Sequence, residues 1–446
     1  MAAATILAGG GAVALTAPYG GAAEGDQPAT YAPLRNAPPA YSQAPAALAA
    51  ALKCPPSLAG NRTPVLLIAG TGVTPEQNFD WNWKIALAKR GIPQCTIALP
   101  YQGLGDIQVA GEYVAYAIRT MYGAAGRKIS IVGHSQGGMV PRWALRFWGD
   151  TRAMVDDVIG LAPSNHGTPA GDATMSSCRS SGCPAAYAQL AAGSRFLEAL
   201  NSRFEAFDGI SYTNIRTKTD EILDPGGVPT AQASTSLTSP QGRITNVAIQ
   251  DVCPADQSGH RLVGTISNTA FELAMDALTH DGPADPGRAK AAACATTLMP
   301  GVDPNGLQGN FSRLGAMSDA AKAAVPIVRE EPALKAYVGG RFDVEPPDAA
   351  IVTPPLERAQ LTIQPTRLTA GRRVTLRIRV TSSNGRALSR QRVRVLGRST
   401  RTGRDGRVRL KLRPKKAGKT VAQTSGNGLP VAKATIRVVH APKKRS

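Results

Sequence analysis

The sequence predicts an α/β domain with a mostly parallel central sheet, followed by a small all-β domain. Strand patterns alternate with helical patterns over residues 60–350, and a Gly-rich turn joins one buried strand to a helix. The charge then changes abruptly. Residues 351–446 hold 25 Lys and Arg and only two acidic residues, whereas residues 1–350 hold 26 basic and 29 acidic ones. The basicity therefore belongs to a separate C-terminal module.

The N-terminal part is predicted to precede the folded core. Residues 1–23 form an apolar, uncharged stretch that is typical of a secretory signal, although it has no Lys or Arg; a disordered Ala/Gly tail is the alternative. Residues 24–53 are rich in Pro and Ala and are predicted to be a lead-in segment. Six cysteines suit a secreted or envelope-associated protein, and none has the spacing of a zinc site.

The predicted α/β domain covers residues 54–350. Its strands are expected at 65–68, 94–100, 129–132, 155–161, 210–215 and 244–249. Its helices are expected at 111–122, directly after the Gly-rich turn at 133–138, and at 266–278. This alternation implies a parallel sheet with helices on both faces.

The Gly-rich turn carries the first candidate catalytic residue. Gly133-His134-Ser135-Gln136-Gly137 follows a β-branched strand and precedes a helix with apolar residues at helical spacing. This is the G-x-S-x-G nucleophile elbow, which raises a serine above a sheet on a tight turn. The simpler alternative is a Gly-rich turn whose serine takes no part in catalysis.

A catalytic serine needs a base and an acid. In α/β-hydrolases these follow in the order Ser, Asp or Glu, His, which excludes His134 and His166, while His440 lies in the basic tail. His260 and His280 remain, and His260 is favoured because it follows a strand's carboxyl end. The same argument favours Asp220 as the acid. Asp224 and Asp251 remain its rivals.

An oxyanion hole is expected next to the nucleophile. The backbone N–H of Gln136 is one donor, and the turn Gly70-Thr71-Gly72 after the first core strand is expected to supply the second. The hydroxyl of Thr71 is a possible further donor. An ordinary Gly-rich turn is the alternative here.

Several motifs together resemble a known family. Pro64–Thr74, Asn78–Asp80, Ser135–Gly138 and Thr219–Ile222, with the spacing to His260, look like the Candida antarctica lipase B-like family and its bacterial relatives. The resemblance runs from about residue 54 to about residue 350. It implies the α/β-hydrolase fold and a lipase activity that uses no metal or organic cofactor.

The same resemblance implies roles for particular residues. Ser135 would be the nucleophile, Asp220 the acid and His260 the base, with Thr71 and Gln136 forming the oxyanion hole.

Disulfides are expected from two arguments. The resemblance implies the pairs Cys54–Cys95 and Cys253–Cys294, while Cys178 and Cys183 bracket a short polar loop that a local disulfide would close. Free buried thiols are the alternative. The loop at 178–183 falls where the family has a small mobile helix, so this disulfide would restrain a lid-like motion.

The chain also departs from the family pattern. His134 stands where the family has a tryptophan, residues 162–168 lack the family's aspartate, and the family's third disulfide has no counterpart. The family's range of alcohols and its enantioselectivity are therefore not expected to apply to this chain.

The C-terminal module, residues 356–440, is predicted to be a small immunoglobulin-like β-sandwich. Residues 374–380, 392–395 and 407–412 alternate apolar with basic side chains, with turns expected at Asn384-Gly385 and Asp405-Gly406. Residues 441–446 form a basic tail. The basic face suits an anionic cell-wall polymer or an anionic lipid surface, or serves only as a soluble spacer. Residues 351–446 contain no aromatic residue, which argues against specific nucleic-acid binding.

The sequence therefore predicts a secreted serine lipase or esterase acting on a lipid or ester substrate. A polyester depolymerase or an amidase with the same triad is the nearest alternative. An envelope-binding protein with a degenerate hydrolase domain is the alternative outside enzymes.

Overall fold

The computed structural model describes residues 31–34, 38–169, 171–338, 359–382, 387–425 and 432–440. The signal-like segment 1–23, the tail 441–446 and the expected turn Asn384-Gly385 lie outside these residues.

The α/β domain contains a central sheet whose strands are mostly parallel. Its described strands, in chain order, are β1 (Leu52–Lys53), β2 (Val65–Ile68), β3 (Gln94–Ile97), β4 (Ile129–His134), β5 (Val155–Leu161), β6 (Cys183–Pro184), β7 (Ser211–Arg216), β8 (Arg243–Ala248) and β9 (Ile327–Val328). Seven of them form the sheet in the order β1-β3-β2-β4-β5-β7-β8. Only the β1–β3 pair is antiparallel within this sheet. Strands β6 and β9 pair separately.

Helices cover both faces of this sheet. The α-helices described in this domain are α1 (Pro45–Ala51), α2 (Pro75–Phe79), α3 (Trp83–Lys89), α4 (Ile107–Ala125), α5 (Gln136–Phe147), α6 (Gly171–Ser181), α7 (Ala185–Gln189), α8 (Arg195–Asn201), α9 (Ile249–Val252), α10 (His260–Val263), α11 (Asn268–Thr279), α12 (Pro286–Ala293), α13 (Leu307–Arg313) and α14 (Asp319–Ala323). None of the described helices is long and apolar enough to cross a bilayer.

Strand β2 shows how the two layers arise from the sequence. All four of its residues are buried, but Leu66 and Ile68 pack in the cluster that includes α4 and α5, whereas Val65 and Leu67 pack with α3 and α11. Successive side chains of a strand point to opposite faces, so a strand covered on both sides is apolar throughout. The predicted α/β class with a mostly parallel sheet is confirmed.

Element boundaries differ from the predicted ones where local signals act. The helix expected from residue 111 begins at Ile107, because the Asp106 side chain accepts a hydrogen bond from the N–H of Gln108 and caps it. The strand expected over 94–100 ends at Ile97, and a short 3-10 turn begins at Pro100. Proline fixes its own φ and suits the first position of such a turn.

The C-terminal module is all-β and consists of two sheets. Its described strands are β10 (Ala359–Gln364), β11 (Arg367–Thr369), β12 (Val374–Ser382), β13 (Arg392–Val395), β14 (Arg398–Arg401), β15 (Arg407–Leu412), β16 (Gly418–Ser425) and β17 (Lys433–Val439). The orders are β10-β12-β15 and β11-β17-β16-β13-β14.

Consecutive strands of this module do not all lie side by side in the same sheet. Strand β12 pairs with β15, but β13, which lies between them in the sequence, pairs with β14 and β16 in the other sheet. The alternating pattern of a strand fixes which side is buried. It does not fix which strand lies beside it. The all-β class of the module is confirmed.

Candidate active site

The nucleophile elbow lies between β4 and α5, at the centre of the sheet. Ser135 has φ 55° and ψ −123°, a strained conformation for a residue with a side chain, and its N–H donates to the carbonyl oxygen of Leu161 at 2.9 Å. Two glycines permit this turn. A Cβ on Gly133 would lie 1.9 Å from the carbonyl oxygen of Gly137, and a Cβ on Gly137 would lie 2.2 Å from that of Ile68.

Ser135, His260 and Asp220 form a continuous hydrogen-bonded chain. The Oγ of Ser135 lies 3.0 Å from Nε2 of His260, and Nδ1 of His260 lies 2.9 Å from Oδ2 of Asp220. His260 is the first residue of α10, and Asp220 follows β7. Both are buried, whereas Ser135 is partly exposed. The arrangement can move a proton from the serine hydroxyl to the imidazole while the carboxylate orients the ring.

The carboxylate of Asp220 is held in its ionised form. Burial opposes ionisation, but the hydrogen bond and charge of His260, together with the N–H groups of Ile222 and Leu223, hold the pKa of Asp220 below its usual value. Those two N–H groups donate to Oδ1 at 2.9 and 2.8 Å. The second oxygen is thus left to accept from the imidazole, which fixes the ring's tautomer.

The rival acids point elsewhere. Oδ1 of Asp224 accepts the N–H of Ser234 at 3.0 Å and Oδ2 lies 3.6 Å from Arg216, while Asp251 pairs with Lys218. Neither carboxylate is hydrogen-bonded to His260 among the described contacts.

The rejected histidines also have other partners. His166 lies 2.8 Å from Glu205, and His280, exposed after α11, lies 3.3 Å from Asp276. His440 follows β17 in the C-terminal module.

The two expected oxyanion residues flank the serine. Gln136 is the first residue of α5, so its backbone N–H has no partner within the helix. Thr71 follows β2 in a turn that packs on the elbow, since a Cβ on Gly70 would lie 3.3 Å from Cβ of Ser135. The Thr71 hydroxyl and the Gln136 side-chain amide are buried without a hydrogen-bond partner. Unpaired buried polar groups are uncommon and suit a site that receives a polar ligand.

No local sequence pattern indicates a role for two residues near His260. The carboxylate of Glu221 accepts the backbone N–H of His260 at 2.9 Å, and Asn78 lies between the oxyanion turn and His134. Asn78 belongs to a quoted family motif, and Glu221 directly follows the candidate acid. Only the three-dimensional contacts, however, connect either residue to the base.

Three disulfides stabilise the α/β domain. They join Cys54 to Cys95, Cys178 to Cys183 and Cys253 to Cys294, and none of the six cysteines is free. The Cys178–Cys183 bond connects α6 to β6. No group of three or more His, Cys, Asp or Glu in the described part of the chain is placed to hold a metal ion.

Comparison with known proteins points to one family. The family model "Lipase (class 2)" matches residues 114–247. Lipase B of Pseudozyma antarctica is 34% identical over 189 residues, which is 42% of this chain and 54% of that protein. The chain thus spans about half the length of this curated relative.

A solved structure extends this similarity. The crystal structure of Aspergillus fumigatus lipase B is 28% identical, with a TM-score of 0.58, and the match covers 72% of this chain and 76% of that one. The matched residues 114–247 of the family model include Ser135 and Asp220.

Proposed function

We propose that the protein is a serine lipase or esterase, because its α/β domain is similar to class 2 lipases and to lipase B proteins. Its substrates are carboxylic esters of acylglycerols or related lipids. The observation that carries this proposal is the chain of short contacts from Ser135 through His260 to Asp220 at the end of a nucleophile elbow.

The proposed reaction proceeds by acyl transfer. The Oγ of Ser135 attacks the ester carbonyl carbon while Nε2 of His260 takes its proton, and Asp220 stabilises the imidazolium that forms. The backbone N–H of Gln136 and the groups of Thr71 receive the oxyanion of the tetrahedral intermediate. His260 then gives its proton to the leaving alcohol. Water, deprotonated by the same imidazole, releases the acid from Ser135.

We propose that the protein acts outside the cytoplasm. Three disulfides in one domain are typical of proteins that fold in an oxidising compartment. Residues 54–350 are the proposed hydrolase domain and residues 356–440 the proposed accessory module. The module would retain the enzyme at an anionic cell-wall polymer or an anionic lipid surface.

Hydrolysis of p-nitrophenyl esters from C2 to C16 by the purified protein tests the proposal. We expect activity with the wild type and its loss in Ser135→Ala, because the alanine variant keeps the fold and lacks the nucleophile. The chain-length optimum separates a lipase from a short-chain esterase. Absence of ester hydrolysis by a folded wild-type protein would refute the proposal and favour a binding role.

A further inference from the structure

The outward face of the three-stranded sheet in the C-terminal module is strongly basic. Strands β12 and β15 direct their apolar residues inward, where they are buried or partly buried, and expose the alternate side chains. The exposed cations of this basic face are Arg377, Arg379, Arg407, Arg409 and Lys411. Strand β10 adds the exposed, uncharged Thr362 and Gln364 beside them.

Like charges face each other directly across this sheet. Arg377 is paired in register with Arg409, and Arg379 with Arg407. Directly opposed side chains have Cβ atoms about 5 Å apart, and like charges at that distance destabilise a sheet. The sequence offers almost no compensation. Asp405 is the only acidic residue between positions 359 and 440, and its Oδ1 accepts the backbone N–H of Arg407 at 3.1 Å.

A cavity adjoins the basic face. Its volume is about 440 Å³, and its lining combines four cations with no carboxylate. The lining residues are Arg373, Val374, Thr375, Arg398, Lys411, Leu412 and Arg413. Lys411 belongs to both the cavity and the basic face, so the two are continuous.

Backbone contacts hold two of the cavity's guanidinium groups. Arg398 donates to the carbonyl oxygen of Lys411 at 3.4 Å, and Nε of Arg413 donates to that of Gly371. Each guanidinium has five N–H groups, so these contacts orient the side chain and leave donors for a ligand. A planar guanidinium group can donate two parallel hydrogen bonds to two oxygens of one phosphate. This geometry favours phosphate as the recognised group.

The spacing of the cations favours a linear ligand. Alternate residues along a strand are about 6.8 Å apart and neighbouring strands are about 4.8 Å apart, so the basic face is a regular array of positive charge. A polymer with a phosphate in every short repeat can follow such an array. Aromatic residues, on which bases or sugars would stack, do not occur in residues 351–446.

A membrane surface fits this face less well. In the described part of the module, the exposed large apolar side chain is Val421. It lies on β16 in the other sheet. The basic face therefore has no apolar group to insert between lipid chains.

We propose that the cavity and the basic face form one binding site for a linear polymer of phosphodiester-linked polyol units. This proposal specifies the ligand for the proposed attachment role of the module, and it rests on that role. It does not depend on ester hydrolysis, because it uses no residue of the α/β domain.

Binding of the full-length protein to synthetic poly(glycerol phosphate), followed by isothermal titration calorimetry, tests the site. The double variant Arg377→Ser/Arg409→Ser removes one opposed pair from the basic face. We expect its affinity to fall at least about tenfold, with the slope of log K against log salt shallower by about 1.4, since each lost phosphate contact contributes about 0.7. Its melting temperature should stay the same or rise, because a repulsive pair is removed.

The matched control is Lys419→Ser/Arg437→Ser. These residues are also exposed, opposed and basic, but they lie on β16 and β17 of the other sheet. We expect this variant, which loses the same charge, to bind within about threefold of the wild type. Equal losses of affinity in the two variants would show that the polymer binds by non-specific electrostatic attraction, and would overturn the proposed site.

Further ligands distinguish the alternatives. Orthophosphate should not compete at equal phosphate concentration, because it contacts one position only. Tighter binding to phosphatidylglycerol vesicles or to oligo(dT) than to the polymer would overturn the choice of ligand, as would no polymer binding by the folded wild type. Ser135→Ala should bind the polymer like the wild type. Failure here and failure of ester hydrolysis are therefore separate results.

Discussion

Nε2 of His134 lies 3.1 Å from the backbone carbonyl oxygen of His260. Its Nδ1 lies 3.2 Å from Oδ1 of Asn78, so the residue before the nucleophile connects the candidate base to the region of the oxyanion turn. Gly264 makes room for this ring, since a Cβ there would lie 2.2 Å from its Cδ2. Burial, and then the nearby charge of His260, lower the pKa of His134 to about 3.

The lowered pKa of His134 predicts acid sensitivity. The unfolded chain protonates this residue near pH 6.5 and the folded protein only near pH 3, so its contribution to stability is complete above pH 6.5 and is lost as the pH falls towards 3. His134→Phe removes this titration. Urea unfolding between pH 7 and 4 should show a stability loss that is smaller in the variant, by up to about 1.4 kcal/mol per pH unit. Parallel pH profiles would contradict the assignment.

Asp220→Asn tests the identity of the acid. The amide cannot stabilise the imidazolium and favours the wrong tautomer, so we expect kcat to fall by about ten-thousandfold. Asp224→Asn is the matched control, because Asp224 is also buried but contacts Ser234 and Arg216. Steady-state kinetics of both variants decide which carboxylate is the acid. A greater loss of kcat in Asp224→Asn would reverse the assignment.

Gly133→Ala tests the elbow geometry. The new Cβ would meet backbone atoms of Gly137, so the turn must move, and we expect activity to fall at least about a hundredfold even in protein that still folds. Gly309→Ala provides the control: Gly309 lies within α13, and a Cβ there meets nothing within 4 Å. Ester hydrolysis and circular dichroism should show this control to be unchanged. Unaltered activity in Gly133→Ala would contradict the described turn.

The buried carboxyl of Asp157 should make stability depend on pH in the opposite direction to His134. Burial in β5 raises the pKa of its carboxyl to about 7, although the Ser130 hydroxyl donates to it at 2.8 Å. The folded protein therefore binds a proton that the unfolded chain has lost above about pH 4, and stability falls as the pH rises to 7. Asp157→Asn should be more stable than the wild type at pH 8, by about 2 kcal/mol, with the difference disappearing near pH 4. Equal stability at pH 8 would refute this prediction.

The disulfides should differ in their contribution to stability. Cys54–Cys95 closes a segment with a sequence separation of 41, whereas Cys178–Cys183 closes one of 5. Loop-closure entropy predicts that Cys54→Ser/Cys95→Ser costs about 4 kcal/mol and Cys178→Ser/Cys183→Ser about 2 kcal/mol. Urea midpoints of the two double variants measure this order, and a larger loss in the second would contradict it.

Local signals explain what the sequence could predict. The elbow and the core strands depend on short patterns, such as the Gly133–Gly137 turn and the buried run of β2, and both lie where expected. The contacts of Asn78 and Glu221 with His134 and His260 join positions far apart in the chain, so no local pattern indicated them. The pairing of β13 with β16 in the second sheet is equally non-local, so the alternating pattern of β13 could not indicate it.

Covalent labelling provides a direct test of Ser135 as a nucleophile that His260 activates. An alkyl p-nitrophenyl phosphonate reacts with a serine only when a base activates it, and peptide mass spectrometry identifies the modified residue. We expect a single adduct on Ser135, formed much more slowly in His260→Ala and absent in Ser135→Ala. An adduct on another residue, or equally fast labelling of Ser135 in His260→Ala, would contradict it.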